Sequence, residues 1–373
     1  MPEPSGPPRR KVRVALIFGG RSPEHEVSVR SAASVLEALD SARYDVIPVA
    51  IESSGKWLSP AESARLLPGQ SQQLSLPEVP RIGNGAGMSL INIAGAAHDA
   101  DLVDVVFPVL HGTYGEDGTI QGLLELADMP YVGSGVLGSA AGMDKDVMKR
   151  LFRQAGLLTP MCLCVRRNQW RNDELCVLGQ IEQMLDYPMF TKPANSGSSI
   201  GIRKVHGPKE LPECLAEAFG YDRKVLVEEG IAGRELECSV LGNHSPRASV
   251  VGEIIPGGEF YDYEQKYLKD STRFMVPAEL PTEVSEEVRR VAIAAFRACE
   301  CEGLARVDFF YEERTGRVLV NELNTMPGFT SISMYPKLWA ASGLSYPELV
   351  DELIRLALER HQDRAENRVS CPG

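Results

Sequence analysis

Two strand-like segments near the end of the chain, separated by a turn, constrain the fold more than any other feature. The first covers residues 305–310, the second covers residues 318–328, and Arg314-Thr315-Gly316 marks the turn between them. In a hairpin centred on this turn, Asp308 falls opposite Glu322, within about one position of register. The sequence therefore predicts two carboxylates side by side on neighbouring strands.

An amide oxygen joins these carboxylates, because Asn324 lies two residues after Glu322 and shares its face of the strand. Arg306 and Gly328 are expected close to the same place. Carboxylate and amide oxygens suit a hard cation such as Mg²⁺, which usually keeps waters and binds substrate phosphates. A solvated acidic face is the alternative, but flanking leucines and valines indicate a half-buried hairpin, where unpaired carboxylates are costly.

The composition is that of a soluble globular protein. The 373 residues suffice for about two or three domains with a large core. The excess of 51 acidic over 39 basic residues gives a net charge of −12, which disfavours general nucleic-acid binding but allows a local basic pocket for phosphate. No apolar run approaches the roughly 18 residues of a membrane helix, and the N-terminus has no apolar signal core. We therefore expect a cytoplasmic protein that binds neither nucleic acid nor membrane.

The eight cysteines are dispersed along the chain, and two pairs, Cys162 with Cys164 and Cys299 with Cys301, are separated by one residue. This spacing is unlike that of a zinc site, and a chain of this length does not need disulfide staples. We expect buried free thiols.

Strand and helix patterns alternate over the first ~140 residues, which predicts a parallel sheet. The chain begins with the apolar run Val12–Phe18, which ends in Gly19-Gly20, and continues with a helical pattern at 28–39 and strands at 44–51 and 102–108. Residues 59–97 lack periodicity and are interpreted mostly as a surface excursion. Beyond residue 144, helices alternate with strands joined by turns typical of antiparallel pairs.

A loop of small residues follows a predicted strand at Lys192–Gly201, with the sequence KPANSGSSIG. We refer to this segment as the Lys192 loop. Backbone N–H groups of such a loop can close over phosphate oxygens while the ammonium neutralises them. A flexible hairpin tip is the alternative, since glycine and serine are common in turns.

The segment Gly133–Gly138 matches the G-x-G-x-x-G pattern of dinucleotide sites and suggests a nicotinamide-dependent oxidoreductase as a rival function. Such a site carries an acid about 20 residues downstream, and residues 152–160 contain none. Tight packing at the entry to a helix therefore explains the pattern better.

Two further polar features have a structural and a functional interpretation. His111 ends a strand and Glu24 precedes a helix, and alone either would be taken as structural. The segment 261–267, YDYEQKY, is too polar for a core strand and too aromatic for a passive linker. A lid hinged at Gly257-Gly258 and an edge strand with stacked tyrosines both remain open.

Together these motifs resemble the D-alanine–D-alanine ligases of the ATP-grasp superfamily, from about residue 11 to about residue 360. The motifs that carry the resemblance are residues 19–28, 110–112, 115–122, 133–135, 143–145, 192–201, 261–267 and 321–330. The resemblance implies an α/β fold of the ATP-grasp class with an N-terminal parallel sheet. The expected division is a Rossmann-like substrate domain at 1–142, a central ATP-grasp subdomain at 143–230, and a C-terminal ATP-grasp subdomain with metal site and lid at 231–373.

The resemblance also implies a reaction: two D-alanine molecules are ligated through an acyl phosphate, giving D-alanyl-D-alanine, ADP and phosphate for peptidoglycan synthesis, in a cytoplasmic homodimer. The residues implied to bind ATP are Lys145, Lys192, Ser199, Glu228, Glu229, Ile231, Glu235 and Tyr261. Two Mg²⁺ or Mn²⁺ ions would be held by Asp308, Glu322 and Asn324.

The amino acid sites follow from the same resemblance. Glu24 would hold the ammonium of the first D-alanine with His111 nearby, and Arg306 with the Gly328 N–H would stabilise the tetrahedral oxyanion. The remaining implied residues are Lys266 and Ser333 for the second carboxylate, and Ser198 and Tyr267 for positioning the lid. A relative that uses D-lactate is the near alternative, although Tyr267 after Lys266 favours an amine. A non-catalytic nucleotide-binding protein would not need the full charged set.

Overall fold

A parallel three-stranded sheet opens the chain, in a computed structural model that describes residues 10–67, 103–255 and 273–367. Strands β1 (Val12–Gly19), β2 (Tyr44–Ile51) and β3 (Val105–Val109) pair in the order β2-β1-β3, with helices α1 (His25–Ala38), α2 (Pro60–Ala64) and α3 (Thr119–Leu126). Both faces of β1 are buried, because Leu16 packs in a cluster with Leu36 of α1, and Ile17 in another with Leu124 of α3. The predicted parallel sheet is confirmed.

A second sheet of four antiparallel strands carries the Lys192 loop. It is reached through helices α4 (Val136–Met143) and α5 (Lys145–Gln154). Its elements are β4 (Cys162–Arg166), α6 (Arg167–Asn172), α7 (Glu174–Met184), β5 (Met189–Pro193), β6 (Arg203–Val205), α8 (Leu211–Tyr221) and β7 (Lys224–Glu229), with strand order β4-β7-β5-β6. The Lys192 loop therefore connects the antiparallel neighbours β5 and β6.

The third sheet has five antiparallel strands and contains the predicted hairpin. In chain order its elements are β8 (Arg234–Gly242), β9 (Arg247–Ile255), β10 (Arg273–Met275), α9 (Thr282–Ala298), β11 (Gly303–Glu312) and β12 (Arg317–Asn324), and the strands lie in the order β10-β9-β8-β11-β12. Asp308 is the register partner of Glu322, which confirms the sequence argument. Ala292 and Phe296 of α9 pack in one cluster with Val307 of β11.

The C-terminal helices return the chain to its first sheet. Helices α10 (Met334–Ala341) and α11 (Tyr346–Ala365) follow β12, and Leu353 of α11 shares a core cluster with residues of β1 and β3. The buried Arg360 donates to the carbonyl oxygens of Tyr131, at 3.1 Å, and Gly133. The end of the chain is thereby fixed to the segment that follows the parallel sheet.

The seven cysteines in the described ranges are free thiols. Cys299 and Cys301 are buried as expected, whereas Cys162 and Cys164 are only half-buried at the start of β4. Within residues 10–67, 103–255 and 273–367, no helix is both long and apolar enough to span a bilayer.

The glycine pattern at 133–138 serves helix entry and close packing. Helix α4 begins directly after Gly135. An added Cβ on Gly138 would lie 2.6 Å from the carbonyl oxygen of Glu300, so only glycine fits there without movement of backbone. The packing interpretation of the pattern is confirmed.

This contact predicts the effect of Gly138→Ala. The new methyl group must displace backbone beside the end of α9, so we expect a loss of about 1–3 kcal/mol in the free energy of unfolding. Gly179→Ala in α7 is the matched control, because nothing lies within 4 Å of its added Cβ. That change should be neutral or stabilising by up to about 1 kcal/mol. Urea denaturation of both variants tests the account, and equal stability of the two would contradict it.

Candidate functional site

A cavity of about 700 Å³ lies between the first sheet, the Lys192 loop and the β11–β12 hairpin. Charged and hydroxyl side chains from these regions and from the start of α5 line it, among them Glu24, Glu116, Lys145, Ser198, Arg306 and Glu322. Each of these residues except Glu116 has a role predicted from the sequence. The cavity therefore unites residues that the sequence places almost 300 positions apart.

Arg306 and Asp308 form a two-pronged ion pair on the hairpin. The guanidinium donates from Nε and Nη2 to the two carboxylate oxygens of Asp308, at 2.6 and 2.7 Å. Arg306 Nε also lies 3.2 Å from Oε1 of the buried Glu237 on β8. Burial opposes the charge on Arg306, but Asp308 and Glu237 outweigh it and hold the pKa of the guanidinium well above its ordinary value. Glu237 was not predicted from the sequence, although it lies two residues after Glu235 on the same face of β8.

The oxygens of this hairpin fit a hard divalent cation. Asn324 donates from Nδ2 to Asp308 Oδ2 at 3.0 Å, which leaves the amide oxygen of Asn324 as a further donor atom for a metal. The partner carboxylate, Glu322, lies 3.5 Å from Lys145 Nζ. Two carboxylates and an amide, with no thiol or imidazole among them, are ligands that Mg²⁺ or Mn²⁺ prefers. The residues present therefore suit the ions expected from the sequence.

A buried chain of charges lies behind the hairpin. Glu228 is 1% exposed and accepts from Lys192 Nζ at 2.6 Å, with Lys149 Nζ 3.0 Å from its other oxygen. Lys149 also donates to the backbone carbonyl of Asn321 at 2.8 Å. Burial alone would raise the pKa of Glu228, but the two lysines outweigh it and keep the pKa below its ordinary value. Lys149 was not singled out in the sequence, where it is one of several charged residues on α5.

The Lys192 loop reaches across the cavity to the first sheet. Lys145 Nζ donates to the carbonyl oxygen of Ser196 at 2.7 Å, and the hydroxyl of Ser198 donates to Glu24 Oε1. Ser198 and Ser199 have φ of 48° and 58°, in the left-handed region that L residues seldom adopt. An added Cβ on Gly197 would lie 2.8 Å from Glu24 Oε2, so this glycine permits the close approach.

His111 is bonded to protein through both ring nitrogens. Nδ1 lies 2.9 Å from the carbonyl oxygen of Met326 and Nε2 lies 3.0 Å from the hydroxyl of Ser31. A carbonyl can only accept, so Nδ1 donates to it and the Ser31 hydroxyl donates to Nε2. Burial lowers the pKa of His111, which keeps the ring neutral. His111 therefore has the structural role that the sequence left open, and it also lines the cavity.

Glu116 bridges two backbone segments beside the cavity. Its carboxylate oxygens accept from the N–H of Gly112 at 2.7 Å and the N–H of Met326 at 2.9 Å. Burial, followed by the negative charge of Glu24, raises the pKa of Glu116 to about 8. Glu116 belongs to the motif at 115–122, but its role could not be predicted from the sequence, because its partner after β12 is 210 positions away.

The loop after β12 brings Gly328 and Ser333 into the cavity wall. Ser333 Oγ accepts from the backbone N–H of Thr330 at 3.1 Å. An added Cβ on Gly328 would lie 3.2 Å from Ser333 Oγ, so a side chain there would press on this hydroxyl. Gly328 and Arg306 line the same cavity.

Several residues that were predicted to bind ATP do not line this cavity. Glu229 and Ile231 lie at and after the end of β7, and Glu235 lies at the start of β8, away from the lining of this cavity. Glu229 accepts from the backbone N–H of Met161 at 2.7 Å, which joins the end of β7 to the segment before β4. Tyr261, Lys266 and Tyr267 lie outside the described residues.

Comparison with known proteins matches both parts of the chain. The family model for the D-ala D-ala ligase N-terminus covers residues 13–134, and that for the C-terminus covers residues 151–355. A D-alanine--D-alanine ligase of Solibacter usitatus is 51% identical, over 96% of this chain and 99% of the relative. One from Acetivibrio thermocellus is 49% identical, over 95% of this chain and 97% of the relative.

Two solved structures share the fold. The D-alanine-D-alanine ligase of Coxiella burnetii aligns with a TM-score of 0.79 and 35% identity, over 95% of this chain and 96% of the neighbour. The VanG D-Ala:D-Ser ligase of Enterococcus faecalis aligns with a TM-score of 0.79 and 38% identity, over 93% of this chain and all of the neighbour. The expected α/β fold of the ATP-grasp class, with an N-terminal parallel sheet, is confirmed.

The buried charges predict a large effect of Glu228→Gln on stability. The change leaves Lys149 and Lys192 buried without a shared anion, so we expect a loss of about 3–5 kcal/mol at neutral pH. The surface carboxylate of Glu217, paired with the exposed Arg203, supplies the control Glu217→Gln, which should cost about 0–1 kcal/mol. Urea denaturation measures both.

The same variant has a predicted pH dependence. A carboxylate with a depressed pKa in the folded protein stabilises it above the unfolded pKa, near the ordinary value of 4.5, and this contribution is lost as the pH falls through the folded pKa. The difference between wild type and Glu228→Gln should therefore shrink in acid. A difference that stays constant from neutral pH into that range would show that Glu228 acts through packing.

Proposed function

The chain belongs to the D-alanine–D-alanine ligase family, and from that premise we propose that it joins two D-alanine molecules at the cost of ATP. The products are D-alanyl-D-alanine, ADP and phosphate. The observation that carries the proposal is the meeting of Glu24, Arg306 and Glu322 around one cavity, with Asp308 bonded to Arg306 and opposite Glu322 in the hairpin. An ammonium site, an oxyanion site and a site for phosphate-bound metal are the three elements that such a ligation requires.

The first step must activate a carboxylate, which is a poor electrophile. Transfer of the γ-phosphoryl group of ATP to the first D-alanine gives an acyl phosphate, and Lys145 and Lys192 would neutralise the phosphates during this transfer. Two Mg²⁺ or Mn²⁺ ions held by Asp308, Glu322 and Asn324 would add electrostatic stabilisation of the transferred group. The remaining residues proposed to bind ATP are Ser199, Glu228, Glu229, Ile231, Glu235 and Tyr261.

The second step is attack by the amine of the second D-alanine on the activated carbonyl. Glu24 would hold the first ammonium, and Arg306 with the Gly328 N–H would stabilise the oxyanion that forms. The residues proposed for the second carboxylate and the lid are Lys266, Ser333, Ser198 and Tyr267, with His111 supporting the cavity wall. Exclusion of water is necessary, because an acyl phosphate hydrolyses.

We propose the wider setting from the family. The enzyme would act as a cytoplasmic homodimer in peptidoglycan synthesis, with a substrate domain at 1–142, a central subdomain at 143–230 and a C-terminal subdomain at 231–373. Ligation to D-lactate or D-serine is the second candidate, because a D-Ala:D-Ser ligase aligns with the same TM-score as a D-alanine ligase. An oxidoreductase is not favoured, since the glycines at 133–138 serve packing.

Product analysis tests the proposed function. The protein is incubated with ATP and Mg²⁺ and with D-alanine alone, D-alanine plus D-lactate, D-alanine plus D-serine, or L-alanine. We expect D-alanyl-D-alanine in amounts equal to the phosphate released, no product from L-alanine, and the dipeptide as the main product of each mixture. A mixed product in excess would identify the second candidate, and phosphate release without any condensed product would contradict both.

Glu322→Gln tests the metal site. The change keeps the shape of the side chain and removes its charge, so the transferred phosphoryl group loses stabilisation while folding is little affected. We expect kcat to fall by about 100-fold or more, comparable to the loss of one preorganised electrostatic contact. The exposed Glu313, beyond the end of β11, supplies the control Glu313→Gln, which should retain full turnover. Near-normal turnover of Glu322→Gln at low Mg²⁺ would remove Glu322 from the site.

Glu24→Gln tests the ammonium site. A charge-assisted hydrogen bond becomes a neutral one, so the affinity for the first D-alanine should fall by about tenfold. The affinity for ATP should change little, because Glu24 lies in the first sheet's half of the cavity. Calorimetry with each ligand separates the two effects. Loss of ATP binding with D-alanine binding intact would show that the assignment is wrong.

A further inference from the structure

One carboxylate joins the two halves of the cavity wall. Glu116 accepts from the backbone N–H of Gly112 in the turn after β3, and from the backbone N–H of Met326 in the loop after β12. The carbonyl of Met326 accepts from His111 on the same side. The backbone N–H and the backbone carbonyl of Met326 are therefore both bound by side chains from the segment that follows β3.

The two backbone segments that Glu116 holds border the reacting groups. Gly112 packs closely against Glu24, since a Cβ added to Gly112 would lie 2.4 Å from Glu24 Oε2. Met326 lies two residues before Gly328, whose N–H is proposed to face the oxyanion. A displacement of either segment would change the distance between the ammonium site and the oxyanion site. Even a small misplacement of reacting groups can lower the reaction rate strongly.

We propose that Glu116 is a positioning residue for the ligation: by binding the N–H groups of Gly112 and Met326, it fixes the position of the Gly328 backbone relative to the Glu24 carboxylate. This inference rests on the proposed function. Glu116 need not touch a substrate, because it acts through the two peptide groups that it binds.

The charges around Glu116 couple this contact to substrate capture. Glu24 from the turn before α1 opposes a negative charge on Glu116, and Arg306 from β11 favours it, whereas the buried His111 is neutral. With the pKa of Glu116 at about 8, the carboxyl is mainly protonated near pH 7 when the cavity holds no substrate. A substrate ammonium at Glu24 offsets the opposing charge, favours the ionised carboxylate and strengthens both N–H bonds. Capture of the first substrate therefore releases a proton and tightens the cavity wall.

Glu116→Gln with the control Glu125→Gln tests this role. Glu125 of α3 also forms contacts between distant segments, since it accepts from the Tyr131 hydroxyl and pairs with Arg364 of α11, but it lies outside the cavity lining. We expect Glu116→Gln to lower kcat by about tenfold or more and to raise KM for D-alanine, with nucleotide affinity unchanged. Glu125→Gln should keep wild-type kcat.

Calorimetry of D-alanine binding supplies a second readout that does not depend on turnover. The titration is run near pH 7 with a non-hydrolysable ATP analogue and Mg²⁺, in two buffers with different ionisation enthalpies. Wild type and Glu125→Gln should release a proton on binding, and Glu116→Gln should not. The wild-type measurement remains decisive even if Glu116→Gln does not fold.

Three results would overturn the inference: wild-type kcat in Glu116→Gln, equal losses in Glu116→Gln and Glu125→Gln, or binding of D-alanine to the wild type without proton release. A wild-type protein that forms no dipeptide, by contrast, would contradict the proposed function itself. The two failures are therefore distinguishable.

Discussion

The register of β11 and β12 places Asp308 beside Glu322, which lines the cavity, and the site is organised around this pair of negative charges. Like charges on neighbouring strands repel, so cations must lie close by. Arg306 binds Asp308 with two hydrogen bonds, and Lys145 lies beside Glu322. Lys145 also donates to the Ser196 carbonyl, so the lysine that offsets the charge of Glu322 also holds the Lys192 loop beside the cavity.

The cavity is assembled from separate sheets, and its function depends on contacts between them. Ser198 reaches from the second sheet to Glu24 at the first, while Met326 after the third sheet is held by Glu116 and His111. A reaction with a water-sensitive acyl phosphate benefits from such closure, since donors held in place require no reorganisation when charge develops. In the proposed mechanism, polar contacts between the sheets would therefore do more than stabilise the fold, because they would also set the positions of the reacting groups.

Local patterns predicted the fold and the hairpin well. The alternation of strand and helix identified the parallel sheet, and the turn at Arg314-Thr315-Gly316 fixed the pairing of Asp308 with Glu322. Contacts between a side chain and distant backbone could not be predicted, because every residue carries the same backbone carbonyl and nearly every residue the same N–H, so the backbone partner leaves no mark on the sequence. Lys149 binds the carbonyl of Asn321, 172 positions away, and Glu116 binds Met326, 210 positions away. The β4–α7 segment was missed as well, since it has few buried residues to give a period.

The central claim is that this cavity activates the carboxylate of D-alanine by phosphoryl transfer. Isotope transfer tests it most directly: D-alanine labelled with ¹⁸O in both carboxylate oxygens is incubated with the protein, ATP and Mg²⁺, and the phosphate is analysed by mass spectrometry. The oxygen that links carbon and phosphorus in the acyl phosphate comes from the carboxylate, and it leaves with the phosphate when the amine attacks the carbonyl carbon. The account therefore predicts one ¹⁸O per phosphate released. Dipeptide formed together with unlabelled phosphate would contradict it.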